Sequence, residues 1–283
     1  MMMRFAIVTI DRYMGIFQAF MDAGWQPIKL FTGASKNEFD TQQQVIAEAE
    51  RRSLDIQLSR ITENDIMALR AQGCDALVVA GYSWKIPDTR QILPYAVNFH
   101  PSPLPIGRGP YPMPQVILED RDNWAISCHK LVPELDAGDI LSSESFPLSD
   151  GECHESLDLK IQIAGTRLAK KIADNFHTYW DQAIPQNNAT YWKKASEDDR
   201  LIDFAQPIDL VLRHIRAYGM TESFAKFGES ILVVKRAIGW QEHHSFPPGQ
   251  IVHLNQRKLV VAVQDGFVGF LDIAPLSSSI FRT

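Results

Sequence analysis

The stretch from Asn98 to Asp139 carries an amide, an imidazole and a carboxylate at points where they could do chemistry. Asn98 and His100 lie in Asn98-Phe99-His100-Pro101-Ser102-Pro103-Leu104-Pro105, and Asp136 lies in Leu135-Asp136-Ala137-Gly138-Asp139. Such a trio can hold a carbonyl oxygen, relay a proton and orient the relay, the parts needed to move an acyl group. In extended backbone alternate side chains share a face, so Asn98 and His100 should point together while Phe99 packs on the other side. Pro101 reinforces this by keeping His100 out of helical angles. Taken singly, each motif has a plainer reading. Asn-x-His can be a polar strand end with a hydrogen-bonded ring, and Asp-Ala-Gly-Asp an ordinary turn. Calcium is a weak reading of that turn, because the EF-hand spacing is absent.

These residues need elements to position them, and the first half of the chain supplies a βα alternation. Residues 5–10, 27–32, 75–80 and 96–99 read as strands. Residues 13–23, 41–52 and 62–72 read as helices, the last capped by Thr62. This pattern predicts an α/β layer with a mostly parallel sheet, and open sheets of that kind bind ligands at the carboxyl ends of their strands. After a Pro/Gly-rich loop over 101–114, residues 124–131 and 140–146 read as further strands and 155–180 as one long helix. The character then changes. A linker over 183–204 separates a first domain, residues 1–182, from a second, residues 205–283. There a helix over 207–218 is followed by short strands at 231–237, 249–254, 259–264 and 267–273, with Asp265-Gly266 as a hairpin signal. That predicts a small C-terminal β-barrel of OB-like type.

Composition narrows the class. The 283 residues, 45% of them apolar, suffice for one larger and one small core. Three cysteines without CxxC spacing argue against a disulfide framework and a thiolate zinc site, and fit a reducing, cytoplasmic setting. The apolar start of the chain is broken by Asp11-Arg12, so it reads as a first strand rather than a signal segment, and no run is long enough for a membrane span. A net charge of −6 without a long cationic block disfavours binding driven by phosphate neutralisation. Neither Gly-x-Gly-x-x-Gly nor a Walker A sequence is present. Glu242-His243-His244 lacks helical i, i+4 ligand spacing and reads as loop polarity, and Arg257-Lys258 as a solvated turn; no metal is expected.

Read together, in this order and at this separation, the two motifs are similar to those of the folate-dependent formyltransferases, where Asn-x-His-Pro-Ser-Leu-Leu-Pro precedes an Asp-x-Gly loop. The similarity extends to residues 75–82, to Gly107-Arg108-Gly109-Pro110, and downstream to Tyr191-Trp192-Lys193-Lys194, Leu201-Ile202-Asp203-Phe204 and Pro248-Gly249-Gln250-Ile251. It therefore resembles the two-domain members that act on methionyl-tRNA or amino sugars, and implies a Rossmann-like, mostly parallel sheet flanked by helices. The resemblance implies 10-formyltetrahydrofolate as donor, with Asn98 on the formyl oxygen, His100 as proton relay and Asp136 orienting His100 or a water beside it. It also implies folate contacts from Tyr82, Ser83, Trp84, Lys85 and Ile86, and from Leu131, Val132, Glu134 and Leu135. Trp84 is read either as a stacking partner or as cover for the core. Ser102, Pro103, Arg108 and Gly109 would face the acceptor. No covalent enzyme intermediate is needed, so the cysteines and the Ser102 hydroxyl are read as structural rather than nucleophilic.

Two departures bear on the acceptor. Pro103 stands where the family usually has Leu, and Thr9-Ile10-Asp11-Arg12-Tyr13 is unlike the Gly-Thr-Pro opening common among the tRNA enzymes. The segment 33–57 mixes Lys36, Arg51 and Arg52 with Glu38, Asp40, Glu48, Glu50 and Asp55, too balanced for a tRNA-gripping insert. The expected acceptor is a small primary amine, foremost a nucleotide-linked amino sugar. Methionyl-tRNA is the alternative, and an N-hydroxy-ornithine-like amine a third. Hydrolysis of the donor and folate binding without catalysis are the other classes kept open. An apolar face on the C-terminal barrel could support a homodimer.

Overall fold

A computed structural model describes residues 2–33, 41–255 and 258–275. Lys36, Glu38, Asp40 and Arg257 of the sequence reading lie outside the described residues. In chain order the regular elements are β1 (Arg4–Thr9), α1 (Met14–Asp22), β2 (Gln26–Phe31), α2 (Gln43–Arg52), β3 (Asp55–Gln57), α3 (Glu63–Ala71), β4 (Ala76–Ala80) and β5 (Tyr95–His100). They continue with α4 (Met113–Leu118), β6 (Asn123–Lys130), β7 (Ile140–Pro147), α5 (His154–Asp174) and α6 (Phe176–Asp181). The last are α7 (Ile208–Tyr218), β8 (Ser223–Phe227), β9 (Ser230–Gln241), β10 (Ile251–Leu254), β11 (Leu259–Val263) and β12 (Gly266–Pro275). The chain forms two compact units, Met1–Pro112 with Asn123–Pro147 and Leu159–Lys193, and Met113–Asp122 with Leu148–Asp158 and the chain from Lys194 onward.

The first unit is built on a sheet of order β3-β2-β1-β4-β5-β6-β7. β1 to β5 pair in parallel, and β6 and β7 add antiparallel ladders. β4, Ala76-Leu77-Val78-Val79-Ala80, is buried at every residue, the signature of a strand covered on both faces. One covering layer includes Ile61, Ile66 and Leu69, packed with Leu77 and Val79. α3 starts where Thr62 accepts from the Asp65 N–H and the Asp65 carboxylate accepts from the Thr62 N–H at 2.7 Å, a capping box. On the other face Phe5, Phe20, Trp25 and Phe99 form edge-to-face and tilted ring contacts, with Phe20 and Phe99 at 6.2 Å. Phe99 thereby anchors β5 and leaves Asn98 and His100 on the opposite side.

Several elements depart from the sequence reading. The single helix expected over 155–180 is two, α5 and α6, divided at Asn175, whose φ of −137° leaves helical space. The break turns Phe176 inward, 5.1 Å from both the Trp25 and Tyr95 rings. β3 is too short to show alternation. Prolines around α4 give it no helical signal in the sequence, yet Pro114 sits in its first turn, where a missing N–H costs no helical hydrogen bond.

In the second unit β10-β11-β12-β9-β8 form an antiparallel five-stranded sheet with α7 against it. Its core gathers Val211, Ile215, Val234, Val261, Val268 and Phe270. Among the described residues no ladder joins β10 to β8, so the expected barrel is a half-barrel sheet. The hairpin between β11 and β12 turns on Gln264-Asp265, one residue earlier than Asp265-Gly266, because Gly266 already pairs with Val263. β8, absent from the sequence reading, pairs along its whole length with β9. Among the described residues no helix is long and apolar enough to cross a membrane.

Candidate active site

Asn98 lies in β5 beside Val79 of β4 and opposite His129 of β6. Facing residues of an antiparallel pair project to the same side, so Asn98, His100 and His129 share a face. The β6–β7 loop returns Asp136 to that face. Its Oδ1 lies 3.4 Å from Asn98 Nδ2, 3.5 Å from His100 Nδ1 and 3.6 Å from His129 Nε2. Its Oδ2 accepts from the Gly109 N–H at 3.0 Å. His100, His129 and Asp136 are all buried.

The loop reaches that position because its base is pinched. The Lys130 N–H donates to the Asp139 carbonyl at 2.9 Å, and Gly138 lies so close to Lys130 that a Cβ would stand 1.9 Å from the Lys130 carbonyl oxygen. Asp136 itself takes a left-handed φ of 53°, which short polar residues tolerate best. Gly109 has φ +122°, and a Cβ there would stand 2.1 Å from the Trp192 carbonyl. Glycine at that point lets the N–H turn toward the carboxylate.

Hydrogen bonding assigns roles. The Asn98 Nδ2 group faces an ionised carboxylate, which only accepts, so the amide must present its nitrogen there. The same nitrogen lies 3.0 Å from His129 Nε2. His129 Nδ1 is 2.8 Å from the Lys130 carbonyl, so the neutral ring donates from Nδ1 and accepts the Asn98 amide at Nε2. His100 lies between two acceptors, the Asp136 carboxylate at Nδ1 and the Gly107 carbonyl 2.9 Å from Nε2.

Burial depresses the His100 pKa below the usual imidazole value, although Asp136 and the Gly107 carbonyl pull it upward; His129 adds to the depression. The ring is therefore neutral at pH 7 and can take a proton, with two acceptors ready to stabilise the cation. Burial pushes the Asp136 carboxyl upward, and the His129 and His100 rings with the Gly109 N–H more than offset it, so its pKa lies below the carboxylate range. The arrangement offers a neutral base, a fixed anion and an amide donor on one face. That set can polarise a carbonyl and move a proton without a metal. Among the described residues no group of His, Cys, Asp or Glu is arranged to hold a metal ion.

The remaining sequence-predicted positions fall into three groups. Tyr82, Ile86 and Leu131 are half-buried and pack on one hydrophobic cluster, with the Tyr82 hydroxyl accepting from the Ile61 N–H at 2.9 Å. The Trp84 ring lies edge-on to Tyr82 at 5.4 Å, half-buried. Val132 is half-buried, whereas Ser83, Lys85, Glu134 and Leu135 are exposed. Ser102 is wholly buried, its N–H donating to the His100 carbonyl and its carbonyl accepting from Leu104 N–H and the Ser127 hydroxyl. Half-buried Pro103 continues that turn through an Ile106 N–H bond at 3.1 Å. Arg108 Nε donates to Gln186 Oε1 at 2.9 Å, and the Gly107 N–H to the Thr190 hydroxyl. Cys74 and Cys128 are buried thiols, with Cys74 pushed up to about 11 by desolvation.

The sequence reading gives no site role to His129 or to residues 184–192. A histidine inside an apolar strand gives its signal only through register, when β6 is placed antiparallel to β5. Residues 184–192 read as linker by their Pro and Asn content. In the structure Ile184 bridges Ile140 and Tyr191 bridges Arg108, while Trp192 stacks on Trp124 at 5.5 Å and 9°.

Residues 30–171 match the family described as formyl transferase, and residues 194–281 match the formyl transferase C-terminal domain. Methionyl-tRNA formyltransferase from Helicobacter pylori strain P12 is 28% identical over 208 residues, covering 74% of this chain and 67% of that one. The Orientia tsutsugamushi enzyme of the same name is 29% identical over 216 residues, covering 74% and 70%. An N-formyltransferase from Helicobacter canadensis, in complex with folinic acid and dTDP-3-aminofucose, shares the fold with TM-score 0.71 and 14% identity, covering 97% of this chain and all of its own. HypX from Aquifex aeolicus in complex with tetrahydrofolic acid shares it with TM-score 0.68 and 18% identity; 98% of this chain matches 45% of that longer one. With half of its length on the catalytic family and most of the remainder on the associated C-terminal domain, the chain belongs to the formyl transferase family.

Proposed function

We propose that this protein transfers a formyl group from 10-formyltetrahydrofolate to the primary amine of a small acceptor, a nucleotide-linked amino sugar in the first instance. The observation that carries the reading is the convergence of Asn98, His100 and Asp136 within 3.5 Å. As the amine nitrogen adds to the formyl carbon, the carbonyl electron pair moves onto oxygen. The Asn98 amide donates to that oxygen, exchanging one of its present partners. His100 accepts a proton from the attacking nitrogen and delivers it to the departing folate nitrogen as the old carbon–nitrogen bond breaks. Asp136 stays ionised and stabilises the imidazolium between the two transfers. The amine must arrive neutral.

The residues present suit a pterin. Tyr82, Trp84, Ile86 and Leu131 supply apolar wall.

The sugar reading is favoured by charge. Arg51 and Arg52 of α2, the described cations of the segment 33–57, are both paired with Glu48. The second reading, methionyl-tRNA, draws support from the relatives of 28% and 29% identity that carry that name. Incubation with 10-formyltetrahydrofolate and a panel of nucleotide-linked amino sugars, alongside methionyl-tRNA, separates them. Tetrahydrofolate release that needs an amino sugar is expected. Formylation of methionyl-tRNA alone would replace the acceptor. Release at an equal rate without any amine would make the protein a hydrolase, and donor binding without turnover a binding protein.

A further inference from the structure

Gln186 occupies a junction that the catalytic trio does not explain. Its Nε2 donates to the Asp136 carbonyl at 2.8 Å and to the Gly138 carbonyl at 2.6 Å, while its Oε1 accepts from Arg108 Nε at 2.9 Å. Both amide donors and the amide oxygen of one side chain are thus used, and they tie two loops together. The first loop carries the Asp136 carboxylate. The second carries Gly107, whose carbonyl meets His100, and Gly109, whose N–H holds Asp136 Oδ2. Asp136 sits at a left-handed φ, so its loop does not hold this geometry by backbone preference alone. Both bonds to the loop come from one amide, fifty residues away in sequence.

We propose that Gln186 is a positioning residue that fixes the Asp136 carboxylate against His100, and so sets how readily His100 accepts a proton. This rests on the reading of His100 as the proton relay. The groups facing His100 are Asp136, His129 and the Gly107 carbonyl. Of these, Asp136 is the one whose position depends directly on Gln186. If the carboxylate drifts away, less negative charge favours the imidazolium, and the His100 pKa falls further.

The test is the His100 titration followed by NMR in the full chain, for wild type and Gln186→Leu, each also in an Asp136→Asn background. Gln186→Leu should lower the His100 pKa. Gln186→Glu keeps an acceptor for Arg108 and sets a carboxylate oxygen against the two loop carbonyls, but it also adds a negative charge that favours the imidazolium, so it is read by turnover, which should fall as in Gln186→Leu. In the Asp136→Asn background Gln186→Leu should not move His100 further. Turnover with an acceptor that the panel above brings out should fall about 10- to 100-fold, the size of effect that displacing a catalytic group by around 1 Å can have, with the donor KM within about twofold. An unmoved His100 titration in folded Gln186→Leu would overturn the proposal. So would an equal shift without the Asp136 charge. If Gln186→Glu matches wild type in turnover, the Arg108 contact is the one that matters and the proposal also fails. The NMR arm needs no acceptor, so failure to transfer formyl to any amine would count against the proposed function and leave the assignment of Gln186 decided separately.

Discussion

Two of the places where this chain sets histidine beside acidic residues are opposite in kind. Glu242, His243 and His244 are contiguous, yet each goes its own way: the Glu242 carboxylate accepts from Trp240 Nε1 at 2.8 Å, His243 is exposed, and His244 Nε2 bonds the Gly266 carbonyl with its ring 4.6 Å from Phe267. His129 and Asp136 lie 31 and 38 residues beyond Asn98, yet Asn98, His100 and His129 converge on the one buried Asp136 carboxylate. A functional constellation is made by register and loop return, and adjacency in sequence does not supply it. Burial then shapes the chemistry of the second group: it lowers the His100 pKa, while the two rings and the Gly109 N–H around Asp136 outweigh burial and hold its carboxyl below the carboxylate range.

The comparison breaks first at His100. His100→Ala should lower formyl transfer by roughly a hundredfold or more, the usual size of a general acid–base contribution. Turnover near wild type would remove the relay from the mechanism. Next in size is Gly109→Ala, which meets both a positive φ and the Trp192 carbonyl. A loss of about 2 kcal/mol or more is expected in denaturant unfolding, together with a fall in turnover as the N–H leaves Asp136. Unchanged stability would show that the loop has room to move.

Asp136→Asn sharpens the electrostatic side. Removing the negative charge removes an influence that raises the His100 pKa, so the acid limb of the kcat/KM profile should move to lower pH while the plateau falls about tenfold or more. A limb moving to higher pH would contradict the assignment of charges. Stability should follow pH in a related way. The His100 pKa is lowered on folding, so the unfolded chain binds this proton more tightly, and stability falls as pH drops below about 6.5 toward the folded value. The Asp136 pKa is also lowered, so its contribution is present above about 3.9 and is lost as pH falls through the folded value. Urea midpoints at pH 7 and pH 5 should therefore differ more for wild type than for His100→Gln.

Much of the first unit is legible from local signals. The buried run of β4, the Thr62 cap and the alternation of Asn98, Phe99 and His100 are local features, and the structure places each as its chemistry requires. His129 is not legible in the same sense. Its meaning depends on β6 running antiparallel to β5, which puts it opposite Asn98. Gln186 sits among prolines and asparagines that favour irregular backbone, and nothing local says that this backbone runs beside Arg108 and Asp136. α4 shows the converse error, since three prolines nearby mask a helix whose first turn can accept one.

The smallest expected effect tests the other half of the comparison. His243 is exposed and shares its position only with neighbours committed elsewhere, so His243→Ala should change stability by no more than about 0.5 kcal/mol. Turnover should be unaffected. His244→Ala should cost more, because its ring packs on Phe267 and Phe246 and its Nε2 holds the Gly266 carbonyl at the start of β12. That cost should appear in unfolding experiments alone. A drop in formyl transfer for His243→Ala, with stability intact, would mean that this exposed loop meets the acceptor, and that contiguity had signalled function after all.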